Sequence, residues 1–145
     1  MVRRLTHLAD GQYAKLLSFR TGLRRFLRWS EKQAATVGLT SAQHQLLLAI
    51  RGHQDSRGPS VGELADYLCT RHHSAVQLID RTEQLGLITR SRGDSEDRRV
   101  VRLALTRAGQ DKLALLSSIH LEELRRLASL VETFVEPTPA PQQAP

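Results

Sequence analysis

Leu87-Ile88-Thr89-Arg90-Ser91-Arg92 and Val100-Val101-Arg102-Leu103-Ala104-Leu105 enclose the polar run Gly93-Asp94-Ser95-Glu96-Asp97-Arg98-Arg99. Two short strand-like segments around a tight polar turn read as a β-hairpin. Val101, Leu103 and Leu105 alternate toward a core while Arg102 alternates outward, which gives a half-buried strand of fixed register. Directly upstream, an amphipathic helix spans about Arg71 to Leu85. It is predicted to bury Ala75, Leu78, Ile79 and Leu85, and Gly86 is its C′ residue. A helix followed by a basic hairpin engages duplex DNA twice, with the helix in the major groove and the hairpin beside the minor groove. The predicted fold is therefore mainly α with a small β-hairpin wing, a winged helix-turn-helix.

Upstream of that helix the caps are legible. Ser60 and Glu63 form a capping box that opens a short helix with Val61, Leu64, Ala65 and Leu68 inward, and Cys69-Thr70 makes the turn. Thr40 and Gln43 form another box, opening a helix through Leu46, Leu47, Leu48 and Ile50 that ends near Gly52. Residues 53–59 read as a polar loop. The first helix runs from Leu8 to about Val37, with Leu16, Phe19, Leu23, Phe26 and Leu27 on its apolar face and Arg20, Arg24, Arg28 and Lys32 on the other. Gly38 is its stop. Downstream, Thr106 starts a long last helix reaching Phe134, with a seam of Leu113, Leu116, Leu124, Leu127, Val131 and Phe134. Pro137, Pro139, Pro141 and Pro145 then mark a low-complexity tail, expected to be disordered.

The 145 residues suffice for one domain with its own core. Hydrophobic residues make up 40% and aromatics only 4%, so the core is expected to be aliphatic and helical. No apolar run approaches the roughly 18 residues of a membrane span. The start, Met1-Val2-Arg3-Arg4-Leu5-Thr6-His7, has no apolar stretch behind its basic residues. With a single cysteine there is no internal disulfide, and a cytoplasmic location is expected. The formal charge is +6 and the pI about 10.4. Residues 1–50 hold eight basic residues against two acidic, and residues 111–145 hold three against five. A basic balance favours a polyanionic partner.

The second helix of a helix-turn-helix must present small or polar side chains at its N-terminal end while its opposite face packs on the first. Arg71, His72, His73, Ser74 and Gln77 meet that requirement. Arg and Gln can hydrogen-bond two atoms of one base pair, whereas His and Ser are more permissive. Arg92, Arg98 and Arg99 border the turn of the hairpin, where a guanidinium can enter a narrow minor groove. Asp97 stands among them and is expected to brace an arginine, since a free carboxylate there would repel phosphate.

Leu85-Gly86-Leu87-Ile88-Thr89-Arg90, Asp94-Ser95-Glu96-Asp97-Arg98-Arg99 and Leu105-Thr106-Arg107-Ala108-Gly109 together resemble the MarR family of bacterial transcriptional regulators, over roughly residues 12 to 134. The resemblance implies a homodimer, most often a repressor, whose two recognition helices enter successive major grooves of a pseudopalindromic operator. It also implies flanking dimerisation helices. The expected division is 1–38 as an N-terminal helix of the dimerisation region, 39–106 as the winged helix-turn-helix, 107–135 as the C-terminal dimerisation helix and 136–145 as the tail. The family usually ends in two long helices, so here the last one reads as truncated or merged with its predecessor. Relatives accept small aromatic acids near the junction of the dimer helices and the DNA-binding lobe. Arg25, Phe26, Trp29 and His44 are the corresponding candidates for a small-molecule effector, an aromatic carboxylate or phenolate. Ordinary core and surface roles are the bland reading of those four, and the one the sequence favours.

Neither a cofactor nor a metal is expected. His72 and His73 are adjacent, about 100° apart on a helix, and no H-x-x-x-H spacing or second cysteine accompanies them. His120 falls on the apolar seam, as a partnered interface histidine. Cys69 is expected as a buried structural thiol, with a thiol-sensing regulator as the alternative. No catalytic residues are assigned, because no nucleophile–base pair, paired acids or glycine-rich phosphate loop stands at a usable spacing. A winged-helix module that binds another protein and no DNA is the remaining alternative.

Overall fold

The computed structural model describes residues 7–93, 99–132 and 134. Asp97 and Arg98, like the 136–145 tail, lie outside the described residues. The order is α1 (Asp10–Thr36), α2 (Ser41–Gly52), α3 (Val61–Tyr67), α4 (His72–Gln84), β1 (Ile88–Arg92), β2 (Val101–Leu105) and α5 (Arg107–Glu132). The chain is thus mostly helical, with one antiparallel hairpin.

Local chemistry sets the element ends. Gly38, at φ +77°, ends α1, with the Leu39 N–H donating to Ala34 O at 3.0 Å. Gly86, at φ +72°, ends α4 the same way, with Leu87 N–H reaching Thr82 O. These are left-handed C′ positions that glycine adopts without a Cβ penalty. Both capping boxes are present. Thr40 Oγ1 accepts from Gln43 N–H at 3.1 Å while Gln43 Oε1 accepts from Thr40 N–H at 3.0 Å. Ser60 and Glu63 repeat the exchange at 3.2 and 2.8 Å.

By their contacts the described residues form two compact units. One is the chain up to Trp29 together with the chain from His120 onward, and the other is Ser30–Ile119. The second therefore takes in the last turns of α1 and the first three of α5, beyond the 39–106 expected for the winged helix alone. Its core holds Leu46, Leu47, Leu64, Ile79, Leu103 and Leu116, all essentially inaccessible. Each such aliphatic side chain contributes about 1.5–3 kcal/mol. Ala34 of α1 and Leu113 of α5 join that core.

The hairpin register pairs Ile88 with Leu105, Arg90 with Leu103 and Arg92 with Val101. Leu103 is buried and Ala104 exposed, the alternation the sequence predicts. Two expectations are corrected. Leu85 is 55% exposed. Thr82 is buried in its place, its hydroxyl satisfied by Leu78 O at 2.7 Å, because positions 75, 79 and 82 share the helix stripe and Leu85 lies past it as the C-cap. Arg102 does not project into solvent. Its side chain is only 16% exposed, and it donates to Gly58 O at 3.2 Å.

In the first unit, Gly22 lets α1 approach α5, for a Cβ there would meet the Leu130 side chain. Phe19 and Phe134 meet edge to face with centroids 6.0 Å apart. His120 is nearly buried against Trp29 and Phe26, at 4.9 and 6.1 Å. The expected seam is uneven, since Leu124, Val131 and Phe134 are exposed while Leu113 and Leu116 are not.

Candidate nucleic-acid interface

The turn between α3 and α4 places the residues expected to read DNA. Leu68 N–H donates to Leu64 O and Thr70 N–H to Ala65 O, both at 3.0 Å. Between them Cys69 takes a left-handed φ of +50°, a conformation that costs a non-glycine residue about 1–2 kcal/mol. Cys69 is exposed, which corrects the buried thiol expected there. The left-handed residue tips its side chain out of the turn while the backbone carries the hydrogen bonds.

From this turn α4 starts at Arg71, an N-cap without a side-chain hydrogen bond. Its first-turn N–H groups are therefore left for another acceptor, and phosphate suits them. Ala75, Ile79 and Thr82 bury the inner face. Arg71, His72, His73, Ser74 and Gln77 are all exposed on the first turn and a half. Gln77 Nε2 and His73 Nε2 are 3.1 Å apart. With the ring neutral and its proton on Nδ1, the Gln77 amide donates to His73 and keeps Oε1 and a second N–H for a base edge.

Ser74 and Gln77 open onto a groove of about 570 Å³ that Ser41 and Gln45 of α2, Thr70 of the turn and Arg81 complete. Arg81 escaped the sequence reading, although 74, 77 and 81 follow helical spacing and periodicity alone could have found it. In the wing, Arg92 and Arg99 are exposed. Arg90 instead turns back and pairs with Asp80 and Glu83 of α4. In the loop before α3, the Arg57 side chain and backbone N–H both hold Asp55, which drives its carboxyl far below the ordinary range.

The effector candidates divide between the two units. Arg25, Phe26 and Trp29 line a groove of about 300 Å³ with Gly22, Glu123 and Arg126 in the first unit. His44 is buried on α2 in the second. Among the described residues no cluster of three or more His, Cys, Asp or Glu could hold a metal ion, and no helix is long and apolar enough to cross a membrane.

The exposed start of α4, followed by a hairpin that carries Arg92 and Arg99, has the form of a winged helix-turn-helix. Residues 37–100 match the model of the MarR family, and over that segment the chain is similar to that family. Solved structures agree in fold. AbsC, a MarR family transcriptional regulator from Streptomyces coelicolor, is 21% identical with a TM-score of 0.68, over 85% of this chain and 82% of AbsC. YusO from Bacillus subtilis is 25% identical at TM-score 0.62, over 85% of each chain. MepR of S. aureus, in complex with DNA, is 20% identical at TM-score 0.65, again over 85% of each. No curated protein sequence matches the chain.

Proposed function

We propose that the chain is a cytoplasmic, homodimeric, sequence-specific DNA-binding transcription regulator, a repressor relieved by a small aromatic or phenolic ligand. The observation that carries this reading is the cluster of Arg71, His72, His73, Ser74 and Gln77 on the exposed start of α4. The likeness to a MepR–DNA complex supports duplex DNA as the partner. Exposed Leu16, Leu17 and Leu27 on α1 and Leu121, Leu124 and Val131 on α5 support a second copy, since apolar surface gathered on two helices marks an interface. Arg25, Phe26 and Trp29 around one groove support the effector, with the guanidinium matched to a carboxylate or phenolate.

The experiment is a titration of fluorescent duplexes selected from a genomic pool, with the mass of the particle measured in parallel. Arg99→Ala should weaken binding to all duplexes about equally. Arg71→Ala and Gln77→Ala should each cost about 1–3 kcal/mol at one base position and relax preference there. Variants that bind and discriminate as the parent does would remove the assignment. A single-chain particle at working concentration would remove the dimer, and no release by aromatic acids would remove the effector.

A further inference from the structure

Glu63 serves more than the cap of α3. Its Oε2 accepts the Ser60 N–H at 2.8 Å, and the same oxygen lies 3.7 Å from Arg102 Nη1 and 3.6 Å from His53 Nε2. Those two distances exceed hydrogen-bonding range, so what reaches Arg102 and His53 is the charge of the carboxylate. Arg102 comes from β2, where it stands opposite Ser91, and its guanidinium is also bonded to Gly58 O at 3.2 Å. His53 follows α2 as its C-cap, and its Nδ1 is 2.8 Å from the Tyr67 hydroxyl of α3. The backbone makes the same connection. Leu103 N–H donates to Pro59 O at 3.0 Å, and Ser60 bridges to Arg102. Gly58, at φ +86°, leaves the space that Leu103 O occupies. The root of the wing is thus laid on the segment that opens α3, and one carboxylate lies between the Arg102 guanidinium and the His53 ring.

We propose that Glu63 is a positioning residue for the wing: acting on Arg102 and His53, its charge holds the base of the β1–β2 hairpin on α3 and thereby sets where Arg92 and Arg99 reach. This rests on the DNA-binding reading, since only a wing that touches DNA has a position to be set. A capping box works equally with Gln at the same place. Glu63→Gln therefore keeps the acceptor for Ser60 N–H and removes only the charge, which separates the wing role from the cap.

The first test uses the free protein, by amide hydrogen exchange. In Glu63→Gln the Leu103 amide should exchange about two- to fivefold faster, the scale of a half-exposed ion pair, while the Ile79 amide of α4 stays as in the parent. Arg102→Gln should do the same, and the double variant should be no faster than the worse single one, as expected of partners in one interaction. The second test uses the duplex. The loss of affinity caused by Arg99→Ala should be measurably smaller in the Glu63→Gln background, whereas the loss caused by Gln77→Ala should persist in full. Unchanged Leu103 exchange together with an unchanged Arg99→Ala penalty would reduce Glu63 to a cap and overturn the proposal. A parent protein that binds no duplex would sink the DNA-binding reading instead, and Leu103 exchange would still decide whether the strut exists.

Discussion

Gly109→Ala opposes two effects whose sizes can be compared. Gly109 lies in the first turn of α5, where alanine ordinarily stabilises a helix by about 0.5–1 kcal/mol relative to glycine. Here the Leu87 carbonyl occupies the place a Cβ would take, nearer than real Cβ atoms come to any neighbour. That carbonyl is backbone, and it accepts the Thr106 N–H at 3.0 Å. Leu87 is itself part of the buried core, so the strand end cannot swing aside. Overpacking of this kind costs about 1–3 kcal/mol, and straining the Thr106 bond adds about 1 kcal/mol. The clash wins, and the expected net loss is about 1–3 kcal/mol, or some 2–4 °C of Tm for each kcal/mol in a chain of this length. Gly11→Ala is the control. Gly11 also lies in a first helical turn, but nothing stands within 4 Å of its missing Cβ, so that variant should equal or exceed the parent. Both are read by thermal unfolding at one protein concentration, because self-association would make Tm concentration-dependent. A Gly109→Ala protein as stable as Gly11→Ala would refute the close approach of α5 to β1.

Three further outcomes are expected. Leu103→Ala empties a fully buried site and should cost about 2–5 kcal/mol in urea unfolding; a loss under 1 kcal/mol would mean the hairpin does not share the core. The Glu63 carboxyl is held below its ordinary value of 4.5, first by the Ser60 N–H bond and then by the charges of His53 and Arg102. A depressed carboxyl stabilises the fold above its unfolded value and loses that contribution as pH falls through the folded one. The Tm gap between the parent and Glu63→Gln should therefore be full near pH 7 and close toward pH 3, and a constant gap would contradict this. His73→Ala removes the ring that steadies the Gln77 amide. One neutral hydrogen bond is about 0.5–1.5 kcal/mol, so discrimination at the base Gln77 reads should fall roughly two- to tenfold; competition between two duplexes differing at that base measures it, and undiminished discrimination counts against the pairing.

What could be read ahead of the structure was local. The boxes at Thr40 and Ser60, the stops at Gly38 and Gly86 and the alternation of β2 each depend on residues a few positions apart, and a few dihedrals decide them. The errors depend on distant atoms or on fine geometry. Arg102 looked like a solvent-facing arginine because nothing nearby in sequence reveals that Gly58 O, 44 positions away, accepts from it. Cys69 reads as a buried structural thiol in the turn, yet its backbone is left-handed at φ +50° and the residue is exposed. Leu85 outranked Thr82 on hydrophobicity, while the helix stripe favoured Thr82 and the Leu78 carbonyl removed the penalty for burying a hydroxyl. In the site, the exposed residues of α4 stood where helical spacing put them. The groove they border needed Ser41 and Gln45 of α2, which spacing along α4 cannot supply.

The residues that carry the family resemblance and those that face the groove do different work. Thr106 Oγ1 donates to Gly86 O at 2.7 Å and accepts the Gly109 N–H at 3.1 Å. One side chain therefore caps α5 and fastens it to the end of α4, with Gly109 giving the room for Leu87 O. Leu-Thr-x-x-Gly is a closure for the base of the hairpin, and its atoms are used up inside the protein. Among the described residues, Arg71, His72, Ser74 and Gln77 show no such side-chain duty beyond the contact of Gln77 with His73, and all four are exposed. A chain can therefore share this architecture with AbsC, YusO or MepR at 20–25% identity while the fold leaves the residues of that exposed face free to differ. Exchanging residues 71–77 for those of a relative should then move base preference with the helix and leave unfolding unchanged within about 0.5 kcal/mol, the range of surface substitutions.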